Sequence, residues 1–273
     1  MKGEAWSWIQ ALSATCLIAF IGILISADLL AKRGDHHFNN GRYQQAIENY
    51  DRAILLQPGP LQFIDFAVDY SYLYGRRGLA RAFLERYEEA VADYTRSIRL
   101  RPGNEIAYLN RGVAHSRLNQ SREAIADYSK AIELLPIEAC SYANRASERA
   151  DLGQYTEAFA DLDRALELRP NYTRAYIARG FIRLNLGQDA AALQDFDRAI
   201  EARPLSQQVN SISRFCYGRP NYSLAHLGRG YALLNLNRQL EAITTIETAR
   251  ELARQTGQQD LLEETRQLLD SIH

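Results

Sequence analysis

RGLARAFLERYEEAVADYTRSIRLRP at residues 77–102 returns 34 residues later as RGVAHSRLNQSREAIADYSKAIELLP at residues 111–136. Both stretches hold a glycine near the start, an alanine twelve residues after it and a proline at the end. The spacing continues for two more steps, with one alanine in place of the glycine. A sustained period of this length indicates stacked units of supersecondary structure. The glycine position holds Gly78, Gly112, Ala146 and Gly180, the alanine position holds Ala90, Ala124, Ala158 and Ala192, and the proline position holds Pro102, Pro136, Pro170 and Pro204.

The pattern extends in both directions to six units. A single match would mean little, because apolar residues at helical spacing occur in any helix, but six matches in phase indicate a repeat protein. An earlier unit carries the same residue types at Gly34, Ala46, Tyr50, Ala53 and Pro58. A later unit has Gly230, Ala242, Ile246 and Ala249, with Arg254 where the proline is expected.

Each unit is predicted to form two helices. In residues 41–58, GRYQQAIENYDRAILLQP, the apolar residues fall at spacings of three and four, which places them on one helix face. Small residues such as Gly78 and Ala90 allow the two helices to approach closely, whereas a larger side chain would cause overpacking strain. The proline ends the second helix, because the residue before it is biased away from helical geometry. One unit cannot bury its apolar face alone, so the units are expected to stack.

This glycine–alanine–proline pattern resembles the tetratricopeptide repeat (TPR), and the resemblance covers most of the chain. It implies an all-α, right-handed superhelix, or α-solenoid, over residues 28–273. Gly257 can end the last repeat helix. Residues 258–272 then form an amphipathic helix that suits a terminal cap with a polar outer face. The repeats are expected at about 27–58, 71–102, 105–136, 139–170, 173–204 and 223–254.

Residues 6–27, WSWIQALSATCLIAFIGILISA, carry no charge. A helix of this length, at about 1.5 Å per residue, would cross a bilayer core of roughly 30 Å. Residues 1–27 are therefore predicted to be a retained transmembrane helix that anchors the chain. The alternative is a signal peptide with cleavage after Ala27.

The charges beside this segment predict its orientation. Only Lys2 precedes it, whereas Lys32, Arg33 and Arg42 follow it. Positively charged flanks tend to stay on the cytoplasmic side of a membrane. The expected localisation is therefore a single-pass membrane protein with its repeats in the cytoplasm.

Two insertions interrupt the period. Residues 59–70, GPLQFIDFAVDY, are too apolar for a free loop and are predicted to extend a helix. Residues 205–222, LSQQVNSISRFCYGRPNY, are more polar and contain a turn signal before the sixth unit. Insertions in repeat proteins often map to the binding face. The second insertion either leaves that face open or folds back and fills it.

Composition argues against several classes of function. The formal net charge is −1, which gives no case for nucleic-acid binding. The sequence contains no glycine-rich phosphate loop, nucleophile elbow or paired-carboxylate constellation, so we predict no enzyme activity, no cofactor and no small-molecule substrate. His36 and His37 are adjacent and would point to different helix faces, so no metal site is predicted. Three cysteines at unrelated spacings do not indicate a disulfide framework.

An arginine precedes the glycine position in every unit, and four units carry an aspartate sixteen residues later. One interpretation is a row of arginines that binds acidic partners. The matched spacing favours the other interpretation, an ion pair inside each repeat, because an arginine packed between helices needs a carboxylate. The predicted structural pairs are Arg77 with Asp93, Arg111 with Asp127, Arg145 with Asp161, and Arg179 with Asp195.

In TPR proteins the first helix of each pair lines a concave groove that binds partners. The middle of the matching positions is polar here and both ends are apolar, most of all the C-terminal end. Such a groove suits an amphipathic helix or an extended segment of a partner protein. The lysine–asparagine pair with which some TPR adaptors hold a chaperone's C-terminal carboxylate is absent from the sequence. The resemblance implies a protein-binding groove at Leu79, Phe83, Leu109, Val113, Arg117, Asn144, Ser147, Asp151, Ile177, Phe181, Asn185, Leu227, Tyr231 and Asn235.

These features together predict a non-enzymatic scaffold, anchored to a membrane through residues 6–27, that recruits or assembles a partner protein. The layout resembles single-span TPR proteins of cyanobacterial and plastid membranes, which help to assemble photosystems or dock pigment-synthesis enzymes. The alternative is an exported, soluble TPR protein that acts in cell-envelope biogenesis.

Overall fold

The computed structural model describes residues 14–56, 69–202 and 221–272, with side chains from Gly22 onward except Leu24. These residues form thirteen α-helices and no strand. The helices fall into two compact units, residues 1–134 and 135–273. The first part of the predicted anchor and nearly all of both insertions lie outside the described residues.

Helix pairs make up each unit. Within a unit, the two helices of a pair pack on each other, and the second helix also packs on the first helix of the next pair. The first unit contains α1 (Ala14–Asn39) with α2 (Tyr43–Leu55), α3 (Tyr70–Phe83) with α4 (Tyr87–Leu100), and α5 (Glu105–Arg117) with α6 (Ser121–Leu134). The second unit contains α7 (Ala139–Asp151) with α8 (Tyr155–Leu168), α9 (Thr173–Asn185) with α10 (Asp189–Glu201), α11 (Tyr222–Asn235) with α12 (Gln239–Thr256), and a final α13 (Gln259–Ile272).

Helix α1 continues from Ala14 to Asn39 without a break, so the described end of the apolar segment and the first repeat helix are one helix. Ile23, Ile25 and Leu29 are exposed on it. No helix in the described part of the chain combines the length and the apolar character that crossing a membrane requires. The predicted span begins outside the described residues, so the anchor stays a prediction.

Side-chain caps and left-handed residues set the helix ends. Asp69 and Asn104 accept hydrogen bonds from the backbone N–H groups of Tyr72 and Ala107, which start α3 and α5. Between the two helices of every repeat lies one residue with positive φ, as helix C-termini often require. Glu85 holds this conformation, with φ of 59°, at a steric cost that glycine avoids. These turn residues are Gly41, Glu85, Asn119, Gly153, Gly187 and Asn237.

A buried ring on the second helix packs against the glycine of the first. In the third repeat Tyr128 is 2% exposed, and a Cβ added to Gly112 would lie 2.7 Å from its Cε1 atom. Gly78 faces Tyr94 in the same way in the second repeat. The glycine position of the sequence pattern is therefore a packing requirement, because any side chain there would overlap the ring.

The fourth repeat changes both partners of this contact. Ala146 replaces the glycine, and the residue sixteen positions later is Leu162 instead of an aromatic residue. Both side chains are fully buried in one core cluster. The smaller leucine leaves room for the alanine methyl group, so the two departures from the pattern compensate each other.

Helix α13 closes the second unit. Leu269 packs into a buried cluster with Leu233, Ala242 and Ile246. Thr265 is also fully buried. Charged residues alternate with these positions and face outward, so α13 covers the apolar side of the sixth repeat and presents a polar surface, as a terminal repeat requires.

We predict that Gly112→Ala destabilises the protein by about 1–3 kcal/mol, because the added methyl group overlaps the buried Tyr128 ring. The measurement is the free energy of unfolding in urea. Gly75→Ala is the matched control: its Cβ would meet only the Ser97 hydroxyl at 3.6 Å, and alanine favours a helix by up to about 1 kcal/mol.

The double variant Gly112→Ala with Tyr128→Leu reproduces the Ala146–Leu162 combination. Its loss in free energy of unfolding should be smaller than the sum of the losses of the two single variants. Equal stability of the Gly112→Ala variant and the parent chain would contradict the packing account.

Candidate functional site

The four predicted arginine–aspartate pairs are in contact. In the third repeat, Arg111 donates from Nε to Asp127 Oδ2 at 2.8 Å and from Nη2 to Oδ1 at 2.7 Å. This two-bond geometry holds both charges in one plane. The other three pairs make the same two contacts. They are Arg77 with Asp93, Arg145 with Asp161, and Arg179 with Asp195.

A second arginine, one helical turn later, reaches the same aspartate. Arg81 donates to Asp93 at 2.6 Å, and Arg149 and Arg183 make the equivalent bonds to Asp161 and Asp195. The third repeat has His115 at this position, with Nε2 at 3.8 Å from the carboxylate of Asp127. This second donor was not predicted, although the sequence carries its signal, an arginine four residues after the first, in three repeats.

The first arginine of a repeat also reaches back to the preceding repeat of the same unit. Arg77 Nη1 donates to Asp51 at 2.6 Å, and Arg179 Nη1 donates to Asp163 at 2.6 Å. Arg111 reaches the hydroxyl of Thr95 in the same way, at 3.1 Å. One guanidinium therefore joins the two helices of its own repeat to the second helix of the repeat before. We call these contacts the arginine–aspartate ladder.

Burial explains why each aspartate takes more than one donor. The carboxylate side chains of Asp93 and Asp195 are 3% exposed, and a buried carboxylate without partners is strongly destabilising. For Arg77, burial opposes the charged form, but the hydrogen bonds to Asp93 and Asp51 outweigh it and raise the pKa above its usual value. Arg77 is thus held in the charged state as part of the fold.

In the two terminal repeats, neutral contacts stand where the middle repeats have the arginine–aspartate pair. In the first repeat Arg33 is exposed, and Asn49 donates to the carbonyl of Gln45. In the sixth repeat Arg229 donates to Thr245 at 2.7 Å and to Asp197 of the fifth repeat at 2.7 Å. The link between repeats therefore persists at the C-terminal end where the aspartate is missing.

Five of the fourteen predicted groove residues are buried, and the groove as a binding site stays a prediction. Ile177 packs in a core cluster with Ala199 and Ala225, where α9, α10 and α11 meet. Side chains in this position cannot reach a partner while the repeats are stacked. The buried groove residues are Leu79, Leu109, Asn144, Ile177 and Leu227.

Four further groove residues are half-buried and already packed. Phe83 stacks on Tyr43 with ring centroids 4.7 Å apart, and Phe181 meets Phe196 edge-on at 5.1 Å. Val113 is also half-buried. Tyr231 donates to Glu264 of α13 at 2.8 Å, and burial, followed by this bond, raises its pKa to about 12. These aromatic groups stabilise the stack, so replacing them would disturb folding as well as binding.

The exposed groove residues are all polar. Arg117 lies in the first unit, and Ser147, Asp151, Asn185 and Asn235 lie in the second. The accessible surface therefore differs from the sequence-based expectation of apolar ends, because the apolar side chains are used between repeats. The first helices α7, α9 and α11 are neighbours in the second unit. We call the surface formed there by Ser147, Asp151, Phe181, Asn185, Tyr231 and Asn235 the first-helix face.

Two electrostatic features mark this face. Asp151 is exposed, but the partial desolvation of its carboxyl group raises the pKa, and the nearby Glu148 raises it further. Asn235 donates from Nδ2 to Asp189 at 2.7 Å, a bond that links α11 to the start of α10. The face therefore combines carboxylates with amide groups that can both donate and accept hydrogen bonds.

A surface cavity of about 290 Å³ in the second unit is lined by residues of α10, α11 and α12. Burial and the charge of Arg229 lower the pKa of His226 there. Arg229 is already bonded to Asp197, and the hydroxyls of Thr244 and Thr248 donate to backbone carbonyls. The hydroxyl hydrogens of Thr244 and Thr248 are therefore engaged by the helix backbone.

Two further observations bear on ligands and redox state. Among the described residues, no group of three or more His, Cys, Asp or Glu side chains could hold a metal ion. Cys140, at the start of α7, is fully buried and disulfide-bonded. The sequence analysis did not expect a disulfide, because the spacing of three cysteines carries no signal for one.

Family models match the region of the first five repeats. A model described as Tetratricopeptide repeat matches residues 106–136, and others with that description match 27–60 and 173–204. A model described as TPR repeat matches residues 78–119 and 146–187. Together these matches cover more than half of the chain. The chain belongs to the tetratricopeptide repeat family.

Solved TPR structures share the fold at low identity. "MamA 41-end from Desulfovibrio magneticus RS-1" is 17% identical with a TM-score of 0.58, covering 65% of this chain and 94% of that chain. "Crystal structure of MamA" is 20% identical with a TM-score of 0.54, covering 62% of this chain and 93% of that chain. Similarity at this level shows the fold alone. Comparison with curated proteins finds no match.

We predict that Arg111→Ala lowers the free energy of unfolding by about 1–3 kcal/mol, because it leaves a buried carboxylate with one weak partner. The third repeat is the sharpest test, since His115 stands where other repeats supply a second arginine. Chemical denaturation of the purified chain measures the effect. Arg122→Ala, on the exposed face of α6, is the control and should change stability little. Equal effects of the two substitutions would contradict the structural role of the ladder.

Proposed function

We propose that this TPR protein is a non-enzymatic scaffold that binds a partner polypeptide on its first-helix face. The repeats supply three neighbouring helices in the second unit, and the ladder and the buried aromatic groups hold them in place. The observation that carries the proposal is the exposure of Ser147, Asp151 and Asn185 on adjacent helices. Hydroxyl, carboxylate and amide groups are the ones that recognise the backbone and polar side chains of a peptide.

We further propose that the N-terminal segment holds this scaffold at a membrane. Residues 6–27 carry no charge. Helix α1 runs from this segment into the first repeat without a break, and its exposed Ile23, Ile25 and Leu29 extend the apolar character toward the repeats. A continuous helix would keep the repeats close to the bilayer surface. This arrangement suits the recruitment or assembly of a partner at the membrane.

One observation favours a second candidate function, an exported TPR protein of the cell envelope. Cys140 is disulfide-bonded. Disulfides persist in oxidising compartments such as the periplasm and are rare in the cytosol. On this alternative the N-terminal segment is removed as a signal peptide, and the mature chain begins near Asp28.

Site-specific photo-crosslinking in the cells that make this protein tests the binding proposal. A photoreactive amino acid at Asn185, on the first-helix face, should give discrete adducts with a partner. The same group at Glu247, exposed on α12, is the control and should give none. Adducts of equal yield at both positions, or adducts at Glu247 alone, would contradict the first-helix face as the binding surface.

Alkaline carbonate extraction, followed by mass determination of the chain, separates the two locations. The anchored form should stay in the membrane fraction with its first residues intact. A soluble chain that begins near Asp28 would contradict the anchor and establish the exported alternative. Protease treatment of sealed vesicles then reports on which side of the membrane the repeats lie.

A further inference from the structure

The ladder determines where positive charge lies in the second unit. Helices α7, α9 and α11 carry six arginines. All but one donate to carboxylates on the second helices, so their guanidinium groups are turned away from the first-helix face. The exception, Arg174, lies in the first turn of α9, at the end of that helix far from Asn185. Arg149 and Arg183 lie in the last turns of α7 and α9, but their guanidinium groups bond to Asp161 and Asp195 on the second helices instead of facing the first-helix face.

Carboxylates occupy that side of the face. Asp151 is exposed in the last turn of α7, and Glu148 lies one turn before it and is buried. Asp189, at the start of α10, accepts the bond from Asn235, and Glu264 accepts the bond from Tyr231. Both donors are neutral, so these two bonds do not cancel the negative charges of Asp189 and Glu264.

We propose that the first-helix face selects partner segments that carry a lysine or arginine side chain, and that Asp151 receives that cation. This inference rests on the proposed binding function and specifies the chemistry of the partner. It commits the surface to a basic, extended segment. The argument is charge complementarity: among the residues that the structure describes, a cation beside Asp151 meets carboxylates, while the guanidinium groups of Arg149 and Arg183 are bonded to the second helices.

The geometry favours an extended segment over an amphipathic helix. Neighbouring packed helices lie about 8–10 Å apart, so a segment that crosses from α7 to α11 spans roughly 20 Å. An extended chain covers that distance with about six residues. An amphipathic helix needs a continuous apolar surface to dock, and Ile177 and Leu227, the residues that would form one, are buried between repeats.

Peptide display tests this inference. The full chain is immobilised and used to select from a library of random peptides of about twelve residues, long enough to cross three helices. The same selection is run on Asp151→Lys, and on Glu247→Lys as a control with the same change in net charge. All three chains are first shown to have the same melting temperature.

The parent chain and Glu247→Lys should enrich peptides with lysine or arginine, and Asp151→Lys should lose that preference and favour aspartate or glutamate. For one selected peptide, Asp151→Asn should weaken binding about two- to fivefold, as expected for a largely exposed ion pair. Higher salt should reduce the difference between Asp151→Asn and the parent chain.

Three results would overturn the inference in distinguishable ways. If no peptide is enriched on the parent chain, both the inference and the binding proposal fail. Peptides that bind without a basic preference, but are lost on Asn185→Arg, would leave the binding surface intact and refute the basic partner. A basic preference that survives Asp151→Lys would place the cation at another site and refute the role of Asp151.

Discussion

A buried aspartate on the second helix of each of the four middle repeats is the constraint on which this stack depends. Its carboxylate is too deeply placed to be solvated, so it must be neutralised by donors from the first helix. The paired arginine binds it through two parallel bonds, and in three repeats a further arginine one turn later adds a third. The position of the aspartate thereby fixes the orientation of both helices in a repeat.

The same arginines shape the surface that a partner would meet. Because Arg145, Arg149 and Arg183 are turned toward the second helices, the other side of α7 and α9 keeps hydroxyl, amide and carboxylate groups. A guanidinium that also reaches the preceding repeat, as Arg179 does, links its first helix to the second helix of that repeat. Stability and recognition are thus connected: the interactions that hold the stack together also remove positive charge from the proposed binding face.

Contacts within one repeat could be predicted from the sequence, whereas contacts between repeats could not. A fixed separation of sixteen residues was enough to pair Arg111 with Asp127, and small residues marked where Tyr128 packs. Helical periodicity places Ile177 and Leu227 on the predicted groove face of their own helices. It does not show that a neighbouring repeat covers them. The bond from Arg179 to Asp163 was missed for the same reason, since the stacking of separate repeats sets that distance.

The coupling energy between Arg179 and Asp195 tests the central claim most directly. Free energies of unfolding are measured for the parent chain, Arg179→Ala, Asp195→Ala and the double variant. The account predicts a favourable coupling of at least about 1.5 kcal/mol, in the range measured for close charge pairs. A coupling near zero, with the two single losses simply adding in the double variant, would contradict it and reduce the ladder to an incidental surface contact.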